Sequence, residues 1–98
     1  SKSLFAYTQK GYMTRTNTYN GLKLQGDEVI LHGVVKTEDV PKVSVTLKRK
    51  SGGRKKAVHF KEIKEQGATG SGTNALKVTA ADDYVEVVNS NMDNYLVG

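Results

Sequence analysis

Apolar and polar residues alternate with a period of two wherever this chain is apolar. Val43-Ser44-Val45-Thr46-Leu47 does so without a break, and its β-branched content predicts a half-buried strand. Ser51-Gly52-Gly53-Arg54 follows, and Gly-Gly suits a two-residue hairpin loop because both positions can take positive φ. With Gly52 and Gly53 as the loop, Leu47 lies opposite Val58 and Val45 opposite Phe60 on one apolar face. Lys50 then faces Lys55, Lys48 faces Ala57, Thr46 faces His59 and Ser44 faces Lys61 on a polar one.

Other segments follow the same logic. A hairpin at Gly26-Asp27 sets Leu24 against Val29 and Leu22 against Leu31, with the strand running on through Val34 and Val35 and ending before Pro41. A third turn around Asp82 places Val78 across from Val87 and Ala80 across from Val85. There the signal is split, because Tyr84, Val85, Val88, Met92, Tyr95 and Leu96 also fall at helical spacing, with Asp82 or Asp83 as N-cap. Three Val and three Asn between Val85 and Asn94 weigh against a helix, so a strand through Val88 is expected, with 84–98 otherwise open between strand, short helix and ordered tail. Ser3–Thr8 reads as a strand with Phe5 and Tyr7 on one face. Residues 11–21, rich in Thr, Asn and Tyr, read as a loop or irregular edge, and the glycine-rich 67–73 as a connector. The expected fold is all-β, or β-rich α+β: a small antiparallel barrel or sandwich built from hairpins, as one domain over residues 1–98.

The chain contains no cysteine, which excludes disulfides, thiol nucleophiles and sulfur-ligated zinc. No apolar run reaches the roughly 18 residues that would span a bilayer, and Ser1–Ala6 has no signal-like apolar stretch. A cytoplasmic protein is the expectation.

Charge is distributed unevenly. The net +5 combines a segment of +6 over residues 43–66 with one of −3 over 67–98. Lys48, Arg49, Lys50, Arg54, Lys55 and Lys56 crowd six cations into nine residues around the glycine turn, with no acid among them. A β-ribbon with such a tip can lie along phosphates, its binding driven by counterion release. The plainer use of the same charges is to keep a sheet edge from aggregating. Aromatic and basic residues interleave near the N-terminus, where Tyr12, Arg15 and Tyr19 are candidates for base stacking and backbone contact. Tyr95, in an acidic stretch, is a weaker one, and Phe5 and Tyr7 are assigned to the core.

Other chemistry finds little support. In the glycine segment Gly72 precedes Thr73 and Asn74, where a phosphate-cradling loop needs Lys before Ser or Thr. His32 and His59 are the only histidines. A ribonuclease-like acid–base pair would need them together, and nothing in their positions requires it. No metal-ligand spacing surrounds either ring, and Asp82-Asp83 reads as turn chemistry. No known family's motif can be laid onto the chain, and no cofactor is implied.

The expected function is therefore non-enzymatic nucleic-acid binding with low sequence specificity, single-stranded DNA or RNA slightly favoured, through the cationic hairpin and exposed tyrosines. The alternative is a small protein-binding module, an inhibitor, adaptor or assembly subunit, docking on an acidic partner or on the acidic C-terminal third of another copy.

Overall fold

The structure is a computed structural model that describes residues 1–16, 27–65 and 72–97. Among these, seven strands form two antiparallel sheets: β1 (Lys2–Thr8), β2 (Tyr12–Thr16), β3 (Val29–Lys36), β4 (Ser44–Arg49), β5 (Gly52–His59), β6 (Thr73–Asn74) and β7 (Val85–Ser90). The first sheet has the order β3-β1-β2-β6 and the second β5-β4-β7. The small β-rich architecture is as expected, but the sheets stay open and do not close into a barrel.

One core joins the two sheets. Phe5, Tyr7, Met13 and Val35 from the first meet Val45, Leu47, Val58 and Val85 from the second, with Phe60, Ile63 and Met92 from the connections. The Phe5 and Phe60 rings stack across the layers at 4.2 Å between centroids. Phe5 and Tyr7 share the inward face, as their spacing predicts. Leu4 and Ala6, which alternate with them, are buried as well, which accounts for the unbroken apolar run Leu4-Phe5-Ala6-Tyr7 on a central strand.

Part of the loop or irregular edge expected over residues 11–21 is instead a regular strand, β2 over Tyr12–Thr16, paired with β1 from Leu4↔Thr16 to Tyr7↔Met13. Threonine and tyrosine are strand formers when a neighbouring strand receives them. The turn is made by Gly11 at φ 91°, whose carbonyl accepts from the N–H groups of Ala75 and Leu76 at 2.8 and 3.2 Å. The Asp27 carboxylate steadies the same turn, accepting from the Thr8 hydroxyl and the Lys10 N–H. The Gly26-Asp27 hairpin with Leu22 and Leu24 lies largely outside the described residues, as does most of the 67–73 connector. The strand before Pro41 ends at Lys36, and Pro41 falls in a 3₁₀ turn, Thr37–Lys42.

Two register expectations need correction. The β4–β5 hairpin turns at Lys50-Ser51, with Arg49 opposite Gly52, and the ladder runs Leu47↔Lys56, Thr46↔Ala57, Val45↔Val58 and Ser44↔His59. This lies two residues from the Gly-Gly arrangement. A slip of two preserves every side chain's face, so the apolar side of Val45, Leu47 and Val58 is the expected one. The glycines' positive φ, 109° and 93°, serves a bulge in which Gly53, Arg54 and Lys55 stand against Lys48 alone. The second correction concerns Val78 and Ala80, which pair with nothing in a strand. β7 instead adds to β4, Leu47↔Val87 and Val45↔Ser90. The strand continues past Val88 to Ser90, and the helical alternative shrinks to a 3₁₀ turn, Met92–Asn94. The tail then crosses to the first sheet, where Val35 bridges Leu96 and the Val97 N–H reaches the Val34 carbonyl at 2.9 Å.

Candidate functional site

The six hairpin cations divide into two groups. Lys48 and Arg49 are half-buried on central strand β4, and the molecule answers both from within. Lys48 Nζ stands 3.9 Å from Glu86 Oε2 on β7. Arg49 Nε donates to the Lys77 carbonyl at 2.6 Å, and its charge helps keep the Asp83 carboxyl ionised. Lys50, Arg54, Lys55 and Lys56 are exposed, and no ion pair reaches them among the described residues. Three of these four lie on β5, an edge strand, and Lys50 occupies the turn beside it.

The turn is held from the opposite side of β4. Asp83, 8% exposed, accepts from the Ser51 N–H at 2.9 Å, the Ser51 hydroxyl at 2.6 Å and the Tyr84 N–H at 3.0 Å. The Ser51 hydroxyl bond is the main reason its carboxyl titrates below the usual 3.8. The Lys50 N–H donates to the Tyr84 carbonyl at 2.8 Å. Asp83 has the turn chemistry expected of it, yet the turn it organises includes another hairpin's tip, 32 residues away. The adjacent Asp82-Asp83 pair is the only trace of this clasp in the sequence.

The stacking candidates sit elsewhere. Tyr12 is half-buried on β2, in the other sheet. Arg15 on the same strand donates to the Ser3 hydroxyl at 3.3 Å and lies 5.7 Å above the Phe5 ring, an internal cation–π contact invisible to sequence spacing. Tyr19 lies outside the described residues. Tyr95 is half-buried against the core. The two histidines are on different sheets, His32 on β3 and His59 on β5. Among the described residues no group of three or more His, Asp or Glu could hold a metal ion, and no helix is long and apolar enough to cross a membrane.

A polar recess on the outer face of the second sheet is lined by Ser44, Thr46, Asn89, Ser90 and Asn91. The Asn91 side chain there is already committed, accepting from the Ser44 N–H and donating to the Lys42 carbonyl. Comparison of the chain with protein families, curated proteins and solved structures finds no match.

Proposed function

We propose that this chain is a non-enzymatic nucleic-acid-binding protein of low sequence specificity that holds phosphates along the β4–β5 hairpin. The observation that carries the reading is the row of exposed cations Lys50, Arg54, Lys55 and Lys56, without an ion pair among the described residues, on a hairpin whose turn Asp83 and Tyr84 hold. Such contacts position a polynucleotide without reading its bases. Lys48 and Arg49 contribute field more than direct contact, since each already has a partner. No aromatic residue lies between 48 and 57, so phosphate contact outweighs stacking, and the single-strand preference rests on Tyr12 and Tyr19 alone. The same reading places the protein in the cytoplasm.

The test is fluorescence anisotropy with labelled single- and double-stranded DNA and RNA at several salt concentrations. Replacing Lys50, Arg54, Lys55 and Lys56 with Gln should lower affinity and flatten the log–log salt dependence by about 3, since each phosphate that a cation neutralises adds roughly 0.7–0.9 to the slope. An unchanged slope rejects the reading.

A further inference from the structure

We propose that the free edge of β5 is a strand-addition site for an extended acidic peptide. The proposal goes beyond nucleic-acid binding and starts from backbone groups, not from side chains. The Phe60 N–H donates to the Val43 carbonyl at 3.0 Å, which marks Val43 and Phe60 as a hydrogen-bonded pair. Bonded and open pairs alternate along an antiparallel ladder. Val45↔Val58 and Leu47↔Lys56 are therefore bonded, while Ser44↔His59 and Thr46↔Ala57 are open.

It follows that the N–H and C=O groups of His59 and Ala57 point away from β4, with Lys55 next along the edge at the margin of the bulge. Among the described residues no backbone bond reaches them. Residues 53–57 are all exposed, so no described element covers this edge. It offers donors and acceptors in alternation, which another peptide strand satisfies completely; a phosphate backbone, which only accepts, does not.

The flanking side chains choose the occupant. Lys55 stands on the outer side of the edge and Lys56 on the core side, with Arg54 beside them and the small Ala57 leaving room between Lys55 and His59. A second β5 would bring like charges together, as lysine-bearing edges commonly do to prevent pairing. The β7 edge of another copy is a poor substitute. Its Val85 N–H is spent on the Gln9 carbonyl at 2.9 Å, and a bulge interrupts it at Val88, between Val87 and Asn89. Charge and backbone together select an acidic strand from a different protein. Peptide and nucleic acid would compete, because both draw on Lys55 and Lys56.

The experiment titrates the full ¹⁵N-labelled chain with acetyl-Glu-Val-Glu-Val-Glu-Val-Glu-amide in its L form and, separately, its all-D form. Both carry the same charge, and only the L form can add to the sheet in register. The L peptide should bind about tenfold more tightly and slow hydrogen exchange at Ala57 and His59, an effect of one or two backbone hydrogen bonds. Ala57→Pro removes an outward N–H without touching the β4 ladder, so it should abolish the L preference while Lys56 and Val58 amides stay protected. The double variant Lys55→Glu with Lys56→Glu should transfer the preference to the corresponding Lys-Val peptide, which keeps the proposal testable even if the proline variant misfolds. Equal affinity for L and D forms overturns it. So does protection of these amides without peptide in a concentration-dependent oligomer, or protection by oligonucleotide and not by peptide. A protein that binds no nucleic acid at all would still give these outcomes if the edge takes the peptide.

Discussion

The second sheet has two edges, and they are finished in opposite ways. The β7 edge is tied down: Val85 is bonded to Gln9, Val88 is bulged, Glu86 reaches back to Lys48, and Asp83, just before the strand, clasps Ser51 at the β4–β5 tip. The β5 edge is left open: among the described residues its outward backbone groups have no partner and its exposed cations no ion pair. Both flank the same central strand, so the difference is not one of stability in the layer beneath. An edge can be made safe by blocking its backbone or by charging it. Only the second leaves the edge usable by a ligand of opposite charge.

The largest effect should come from Gly11, in the β1–β2 turn whose Gln9 carbonyl holds Val85 at the start of β7. A Cβ at Gly11 would fall 1.8 Å from the Leu76 carbonyl oxygen, at a φ of 91° that L residues rarely adopt. Gly11→Ala should therefore cost about 1–3 kcal/mol from backbone strain and more from the clash, seen as a lower urea midpoint. A midpoint equal to the parent's would remove this turn from the comparison.

Acid should act next, and also on the blocked side. Because Asp83 titrates below its ordinary value, its contribution is complete at neutral pH and disappears as pH falls from about 4 through the lowered value. Asp83→Asn should lose that part of the acid sensitivity and speed hydrogen exchange at Ser51, which amide NMR across pH 2–6 would reveal. If exchange at Ser51 is as slow in the variant as in the parent, the clasp does not hold the tip.

How far these contrasts could be seen in the sequence depends on the range of the interaction. Val45, Leu47 and Val58 declared their face by alternation alone, and a register wrong by two did not disturb it. The partner of β7 was hidden, since Val85, Val87 and Val88 fit a local hairpin with Val78 as well as they fit β4. Residues 12–16 looked like loop because threonine, tyrosine and arginine carry no period-two apolar signal, and their burial depends on β1. At the candidate site, charge density was legible at once. Which cations remain free was not, because that depends on Glu86, Lys77 and Asp83, all brought in from 28 or more residues away.

Smaller effects belong to the open side. Arg54→Gln, Lys55→Gln and Lys56→Gln together should shift stability by no more than about 0.5 kcal/mol per site, and toward greater stability because repulsion is relieved, while polyanion affinity falls. Thermal unfolding beside anisotropy separates the two, and a marked destabilisation would mean the edge is structural. The smallest effect is expected for Lys48→Ala, where a half-exposed pair at 3.9 Å is worth well under about 1 kcal/mol.

The bulge opposite Lys48 has a consequence for how this hairpin can change length. Its surplus on β5 is an even number of residues, so the chain beyond it re-enters the ladder without turning over. Lengthening or trimming the tip by pairs would leave Val58 and Phe60 facing inward, whereas a single-residue insertion would rotate them to solvent. Variation in this part of the molecule, natural or engineered, should proceed in steps of two.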